Sequence, residues 1–297
     1  MPLTLLMVAA ALSGTPADTT VHLPRNGAVE IDTRDRDVVL HTGTTDQVII
    51  RGGSGELDGG TLQVDDGMRR GRGAVDVTVP VWAKVEITSI SGNIALSGTS
   101  AMLEAQTVNG FIHLNGGSGS ADLETVAGDV TVSDFHGNHL TLSTTGNAIT
   151  IINSSGEIDA ENVNGNVTLQ GVHSAKVSAS TVNGAITFEG TFAPNGNYDF
   201  ESQNRDVTLT LPGDVSARMR ISTMSGKLIS PQIPATISGS GDHSSQTVGR
   251  ARHKGDKGDK SDASDDGEQD FTVVYGSGSA RVTIDVFNGN VVVHRAP

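Results

Sequence analysis

Glu104 and Asp122 are two carboxylates whose spacing could serve acid–base chemistry, because they stand one repeat unit apart in a recurring phrase. Stacked on neighbouring strands and pointing outward, they would come near the separation used by retaining glycosidases. Two imidazoles stand close in His136-Gly137-Asn138-His139, yet no third ligand is near enough in sequence to complete a zinc set. The run Gly116-Gly117-Ser118-Gly119-Ser120-Ala121-Asp122-Leu123 approaches the calcium nonapeptide of β-roll repeats. Its sixth position needs a carboxylate and holds Ala121, with the aspartate one residue late; Gly52-Gly53-Ser54-Gly55-Glu56-Leu57-Asp58 misses in the same way. Calcium requires several oxygens on one centre, so neither run is assigned as a site. There is no Gly-x-Ser-x-Gly elbow and no phosphate loop. The reading is therefore no catalytic residue, no metal ligand and no cofactor: a solvated acidic face explains the carboxylates, and a loop explains the histidines.

The elements that would position these groups are written as one short phrase repeated from Val85 to Gly190. It reads Ser-Ile-Ser-Gly at 89–92, Thr-Val-Asn-Gly at 107–110 and again at 181–184, Thr-Val-Ala-Gly at 125–128, and Asn-Val-Asn-Gly at 162–165. Gly92, Gly110, Gly128 and Gly146 are spaced by 18, Gly165 and Gly184 follow by 19, and Arg205 and Gly226 occupy the same slot at steps of 21. Gly289, after Asn288, closes the series, and Asn109, Asn164 and Asn183 each precede a slot glycine. Apolar residues fall two and four positions after the slot, as in Ile112 and Leu114 or Val167 and Leu169, which is the period of a strand with one buried face. A second alternating run precedes the slot, as in Leu103, Ala105 and Thr107. The unit at Gly146 departs from this rule, since Ile149 and Ile151 come one position late, and a bulge is expected there.

Asn-Gly between alternating runs ordinarily signals a hairpin, so an antiparallel sandwich competes for this pattern. Recurrence of residue type by position favours stacked coils instead, because like then sits on like about 4.8 Å away. We expect an all-β, single-domain parallel β-solenoid with coils of about 18–21 residues. No window has helical periodicity, and 37 glycines with 3% aromatics point to turns and a thin core. The charge of −14 argues against nucleic acid as a partner. The absence of cysteine removes disulfides and thiolate chemistry. Residues 1–17 read as a signal peptide, with an apolar run from Leu3 to Leu12 too short to span a bilayer, so no integral membrane span is expected and export to the periplasm or cell surface is. The region lacks Lys and Arg, and a cytosolic start before a buried strand is the alternative.

The remaining divisions are degenerate coils over 18–84, the regular solenoid over 85–238, a disordered charged insertion over 239–270 and C-terminal coils over 271–297. Within the first of these, 52–73 reads as a glycine-rich loop. The insertion, with its His-Lys-Gly-Asp-Lys-Gly-Asp-Lys, is too polar to offset the entropy of ordering it. The phrases Val-Glu-Ile-Thr-Ser-Ile-Ser-Gly-Asn-Ile, Thr-Val-Asn-Gly, and Tyr-Gly-Ser-Gly-Ser-Ala-Arg-Val-Thr-Ile-Asp-Val-Phe-Asn-Gly-Asn-Val at 275–291 resemble the bacterial DUF4097 family, often labelled as candidate adhesins. The resemblance covers about residues 25–297 and implies a β-helix-like solenoid at the cell envelope with no catalytic residues to carry over. Arg36 and Arg205 in glycine slots and the long insertion depart from it.

Two functions remain in view. The first is a non-catalytic envelope scaffold or adhesin whose outward row, Thr131, Thr168, Thr187 and Thr208, binds an envelope polymer or protein. The alternative is a polysaccharide-active β-helix enzyme. An ice-binding array is a rival for the same row, and His113 and Ile149 are expected to interrupt it.

Overall fold

The computed structural model describes residues 18–65, 73–98, 101–230, 234–240, 243–245 and 269–296. Alternation in the sequence becomes alternation in space: Lys84–Ser89 and Met102–Asn109 bury every second side chain, Val85, Ile87, Leu103 and Ala105 pointing inward. Each coil has one strand before the slot and one after it. The strands after the slot join a 14-stranded sheet, here sheet one, and those before it join a second 14-stranded sheet, sheet two. Inner faces of both sheets close one apolar core. Successive coils are parallel and in register, with Leu103 opposite Val85 and Ala121, and Ile112 opposite Ile94 and Val130. The chain is an all-β parallel solenoid, as its repeat predicts.

The slot glycines are required by a close backbone approach. A Cβ on Gly110 would lie 2.2 Å from the carbonyl oxygen of Gly92, and one on Gly128, 1.8 Å from that of Gly110. Gly92, Gly165, Gly184, Gly226 and Gly289 are equally tight against the residue one coil away. Gly146 is not. Its nearest neighbour would be Val126 O at 3.2 Å, while Gly165 abuts Asn147 O at 1.8 Å, so Asn147 is the slot residue of its coil. Counted from Asn147, Ile149 and Ile151 fall two and four positions on, as in the other units, and Val130 pairs with Ile149 without a shift. The extra residue is accommodated before that strand: Asn115 pairs with Ser133 at an 18-residue offset and Ser120 with His139 at 19, and the bulge lies between His136 and His139.

Three residues before each slot, a small polar side chain turns into the core. Thr107, Thr125, Thr144 and Thr181 donate their hydroxyls to the slot carbonyls of Gly92, Gly110, Gly128 and Gly165 at 3.0–3.1 Å. Asn162 and Ser202 make the equivalent bond to Asn147 and Gly184. The donor side chains are all buried, and each bond gives a slot carbonyl a partner on the core side of the turn.

Order along the axis departs from order in sequence at both ends. Ala28–Thr33 lies between Thr61–Asp65 and Lys84–Ser89. Ala280–Val286 lies between Asn197–Ser202 and Ala217–Thr223. The first and last coils in sequence are therefore enclosed by neighbours on both sides. Beyond them the ladders turn antiparallel: Thr19–His22 pairs with Gln47–Arg51, and Gln269–Tyr275 bridges Ala217–Thr223 and Ala235–Ser240. The stretch read as a loop over 52–73 contains a hairpin, Ser54–Asp58 with Thr61–Asp65, turned by Gly59 and Gly60 at φ 57 and 98. Strands at Ala235–Ser240, His243–Ser245 and Gln269–Tyr275 also enter the span read as a charged insertion. Residues 246–268 and the signal-like 1–17 lie outside the described residues.

Candidate functional site

Two outward faces of unlike chemistry result from this register. On sheet one, Thr131, Thr150, Thr168, Thr187 and Thr208 pair directly in successive coils. All five are half-buried by their neighbours, and the row is continuous. Thr150 was hidden by the misplaced slot: counted three after Gly146 the row meets Ile149, which is fully buried, whereas three after Asn147 is Thr150. Thr144 three residues before Asn147, matching Thr107, Thr125 and Thr181 before their slots, is the signal that would have found it. His113 does occupy the row beside Thr131, as expected.

Sheet two carries the acids. Glu30, Glu86, Glu104 and Asp122 form one continuous column, and Asp159 and Asp199 continue it with Thr141 and Ser178 between. Two residues along, Glu124, Glu161, Glu201 and Asp285 form a second column, separated in part by serines. Glu104 and Asp122 are direct neighbours, so the stacking expected of them is present. Glu104 accepts from Gln106 Nε2 at 3.0 Å, and Asp122 is raised above its ordinary value by partial burial first and Glu124 second, with His139 opposing. His136 and His139 lie in the strand His136–Thr144, not in a loop. They diverge, His136 Nδ1 to Ser155 Oγ at 3.1 Å and His139 Nδ1 to Glu157 at 3.9 Å. Glu157 is held by Lys176, whose ammonium bonds its carboxylate; that bond lowers Glu157 and raises Lys176. No cluster able to hold a metal is found among the described residues.

Between the faces, at the slot turn, exposed amides form a ladder. Asn164 donates to Thr145 O, Asn183 to Asn164 Oδ1, Asn204 to Asn183 Oδ1 and Asn288 to Asn204 Oδ1, at 2.9, 2.9, 2.9 and 3.4 Å. Asn109 is opposite Ala127 and has no amide to meet there. Just past the slot, Asp37, Asn93, Asp129, Asn166, Asp206 and Asn290 each accept the backbone N–H of the adjacent coil. The turn is thus hydrogen-bonded inside and out.

A repeat solenoid with long, regular outer faces is the class of protein these features define. The chain belongs to the Toastrack DUF4097 family, whose model matches residues 4–162 and 118–293. No curated protein matches it. Among solved structures it is similar to a candidate adhesin from Bacteroides fragilis, at 11% identity and a TM-score of 0.36, over 96% of this chain and 98% of that one. It is also similar to a candidate cell adhesion protein from Clostridium sporogenes, at 8% identity and a TM-score of 0.22, over 95% and 100%. No helix among the described residues is long and apolar enough to cross a membrane.

Proposed function

We propose that the protein is a non-catalytic binding scaffold of the bacterial cell envelope, exported to the periplasm or cell surface, which holds an extended polymer or protein along sheet one. The observation that carries this reading is the continuous row Thr131, Thr150, Thr168, Thr187 and Thr208. Short hydroxyl-bearing side chains repeated about every 4.8 Å make a flat surface with a donor and an acceptor at each step. Such a surface suits a ligand that is itself long and regular. Family membership and the signal-like start support the envelope setting.

The test is sedimentation with insoluble cell-wall polysaccharide and peptidoglycan. Wild-type protein is expected to co-sediment with one of them, and Thr150→Lys with Thr168→Lys to abolish this while leaving the circular dichroism unchanged. No reducing sugar or unsaturated product should appear, with or without calcium. Cleavage abolished by Glu104→Gln or Asp122→Asn would replace the scaffold with the polysaccharide-active enzyme.

A further inference from the structure

A ridge of apolar side chains runs along the outside of the slot turn, two residues before the slot. Ile90, Val108, Val126 and Val163 are 50%, 44%, 47% and 40% exposed, and Phe287 and Met224 continue the ridge at 51% and 40%. The paired strands immediately before them place these residues one above another, since Thr107 is opposite Ser89 and Thr125, Thr144 opposite Asn162, and Val286 opposite Ser202 and Thr223. Nothing in the coil demands apolar residues there. Thr145 and Gln203 occupy the same column, and the pairs just before them, Thr144 with Asn162 and Ser202 with Thr181 and Val286, stay in register. An exposed apolar surface that the fold does not require marks a contact.

The second carboxylate column, Glu124, Glu161, Glu201 and Asp285, borders the ridge on the sheet-two side. Where both features meet, a groove of about 500 Å³ opens, lined by exposed Phe287 and Met224, by Glu201, Gln203, Ser222 and Asp285, and by buried Ser202 and Val286. The Thr row of sheet one has no such column beside it: two residues beyond it, away from the slot, stand Ser133, Ile152, Gln170, Glu189 and Thr210, with one carboxylate among them.

We propose that this corner docks an extended segment of another protein in which lysine or arginine alternates with apolar residues, the apolar set on the ridge and the basic set along the carboxylate column. Ridge and column stand two residues apart on one outward face, so a ligand strand laid between them, its alternate side chains directed to its two sides, sets one chemistry over each. A cation is selected because the chain carries a charge of −14 and concentrates acids beside the ridge. The groove accepts the aliphatic stem of one basic side chain against Phe287 and Met224 while its charged head reaches Glu201 and Asp285. From Ile90 to Met224 the column spans nine coils, half-buried Val182 and the polar Thr145 and Gln203 included, and at about 4.8 Å per coil it is about 40 Å long, the length of an extended segment of about twelve residues. This site is independent of the polymer face proposed above.

The experiment is fluorescence anisotropy of the full chain with three labelled peptides of about twelve residues: alternating lysine–leucine, alternating lysine–serine and alternating glutamate–leucine. The lysine–leucine peptide should bind at least about tenfold tighter than either comparator and weaken as salt rises. Val126→Ser with Phe287→Ser and Met224→Ser should remove that tenfold advantage without changing lysine–serine binding, which also shows that the variant is folded. Glu201→Gln with Asp285→Asn should weaken lysine–leucine binding and flatten its salt dependence, whereas Thr168→Val with Thr187→Val should leave it unchanged. Equal affinity for lysine–leucine and lysine–serine would reduce the site to charge attraction alone and overturn the proposal. So would unaltered lysine–leucine binding by the ridge variant, or co-sedimentation of the ridge with phosphatidylcholine vesicles in the absence of any peptide binding.

Discussion

Inside and outside the slot turn, the same coils stack columns of like residues at the same spacing, yet the two sets are held by different forces. Inward, the buried hydroxyls of Thr125 and Thr181 bond the slot carbonyls of Gly110 and Gly165, and the glycines three residues later admit no side chain. Outward, Asn164, Asn183 and Asn204 bond one another in the open, where water would replace each bond if it were lost. The difference teaches that recurrence alone does not rank residues. An inner column is fixed by what the backbone leaves no room for, and an outer column is free to be chosen for what it binds.

Glycine substitution gives the largest expected effect. Gly128→Ala places a Cβ against the carbonyl of Gly110, which both neighbouring coils hold in place, and should cost about 3 kcal/mol or more. Gly146→Ala should cost less than about 1 kcal/mol, because Gly146 is exposed and outside the slot. Urea denaturation of both variants measures this; equal losses would restore Gly146 to the slot and remove Thr150 from the outer row.

Next in size is the inward hydroxyl. Thr125→Val keeps the shape and removes the side-chain donor from the half-buried carbonyl of Gly110, a loss of about 1 kcal/mol. Asn183→Ala breaks two amide bonds of the exposed ladder, to Asn164 and from Asn204, and should cost only about 0.5 kcal/mol. A larger loss for Asn183→Ala than for Thr125→Val would reverse the ranking of inside over outside.

Much of this was legible because period two and the slot spacing are local properties. The solenoid, the inward apolar pairs and the stacking of Glu104 on Asp122 all follow from counting along the chain. The shift from Gly146 to Asn147 was not legible from glycine alone, since the extra residue sits near His136–His139 and the Thr-Thr-Gly-Asn turn offers a glycine one position early. The order of coils at the ends was beyond reach for a different reason. The phrases at Asn288-Gly289 and Ser225-Gly226 carry the same pattern, so either could follow Asn204-Arg205, and the choice rests on long connections rather than on the repeat. The apolar ridge was in plain view as the valine of Thr-Val-Asn-Gly, but only burial distinguishes an exposed valine from a core one.

The smallest effect belongs to the outer acids, and its pH dependence has a definite sign. Partial burial and the neighbouring Glu124 raise Asp122 above its ordinary value of 3.8, so the folded protein binds this proton more tightly than the unfolded chain does. Stability therefore falls as pH rises from the unfolded value through the higher folded one, and the penalty is complete at neutral pH. Asp122→Asn removes an ionisation the fold disfavours. The variant should melt slightly higher than wild type at pH 7, and the difference should vanish below about pH 3, where the aspartate is protonated in both states. Glu157 has the opposite sign, because Lys176 favours its ionised form: Glu157→Gln should lower the melting temperature at pH 7 and not at acid pH. Scanning calorimetry of both variants at the two pH values measures the pair together. If Asp122→Asn is neutral or destabilising at pH 7, burial and the neighbouring Glu124 together do not disfavour ionised Asp122 in the fold.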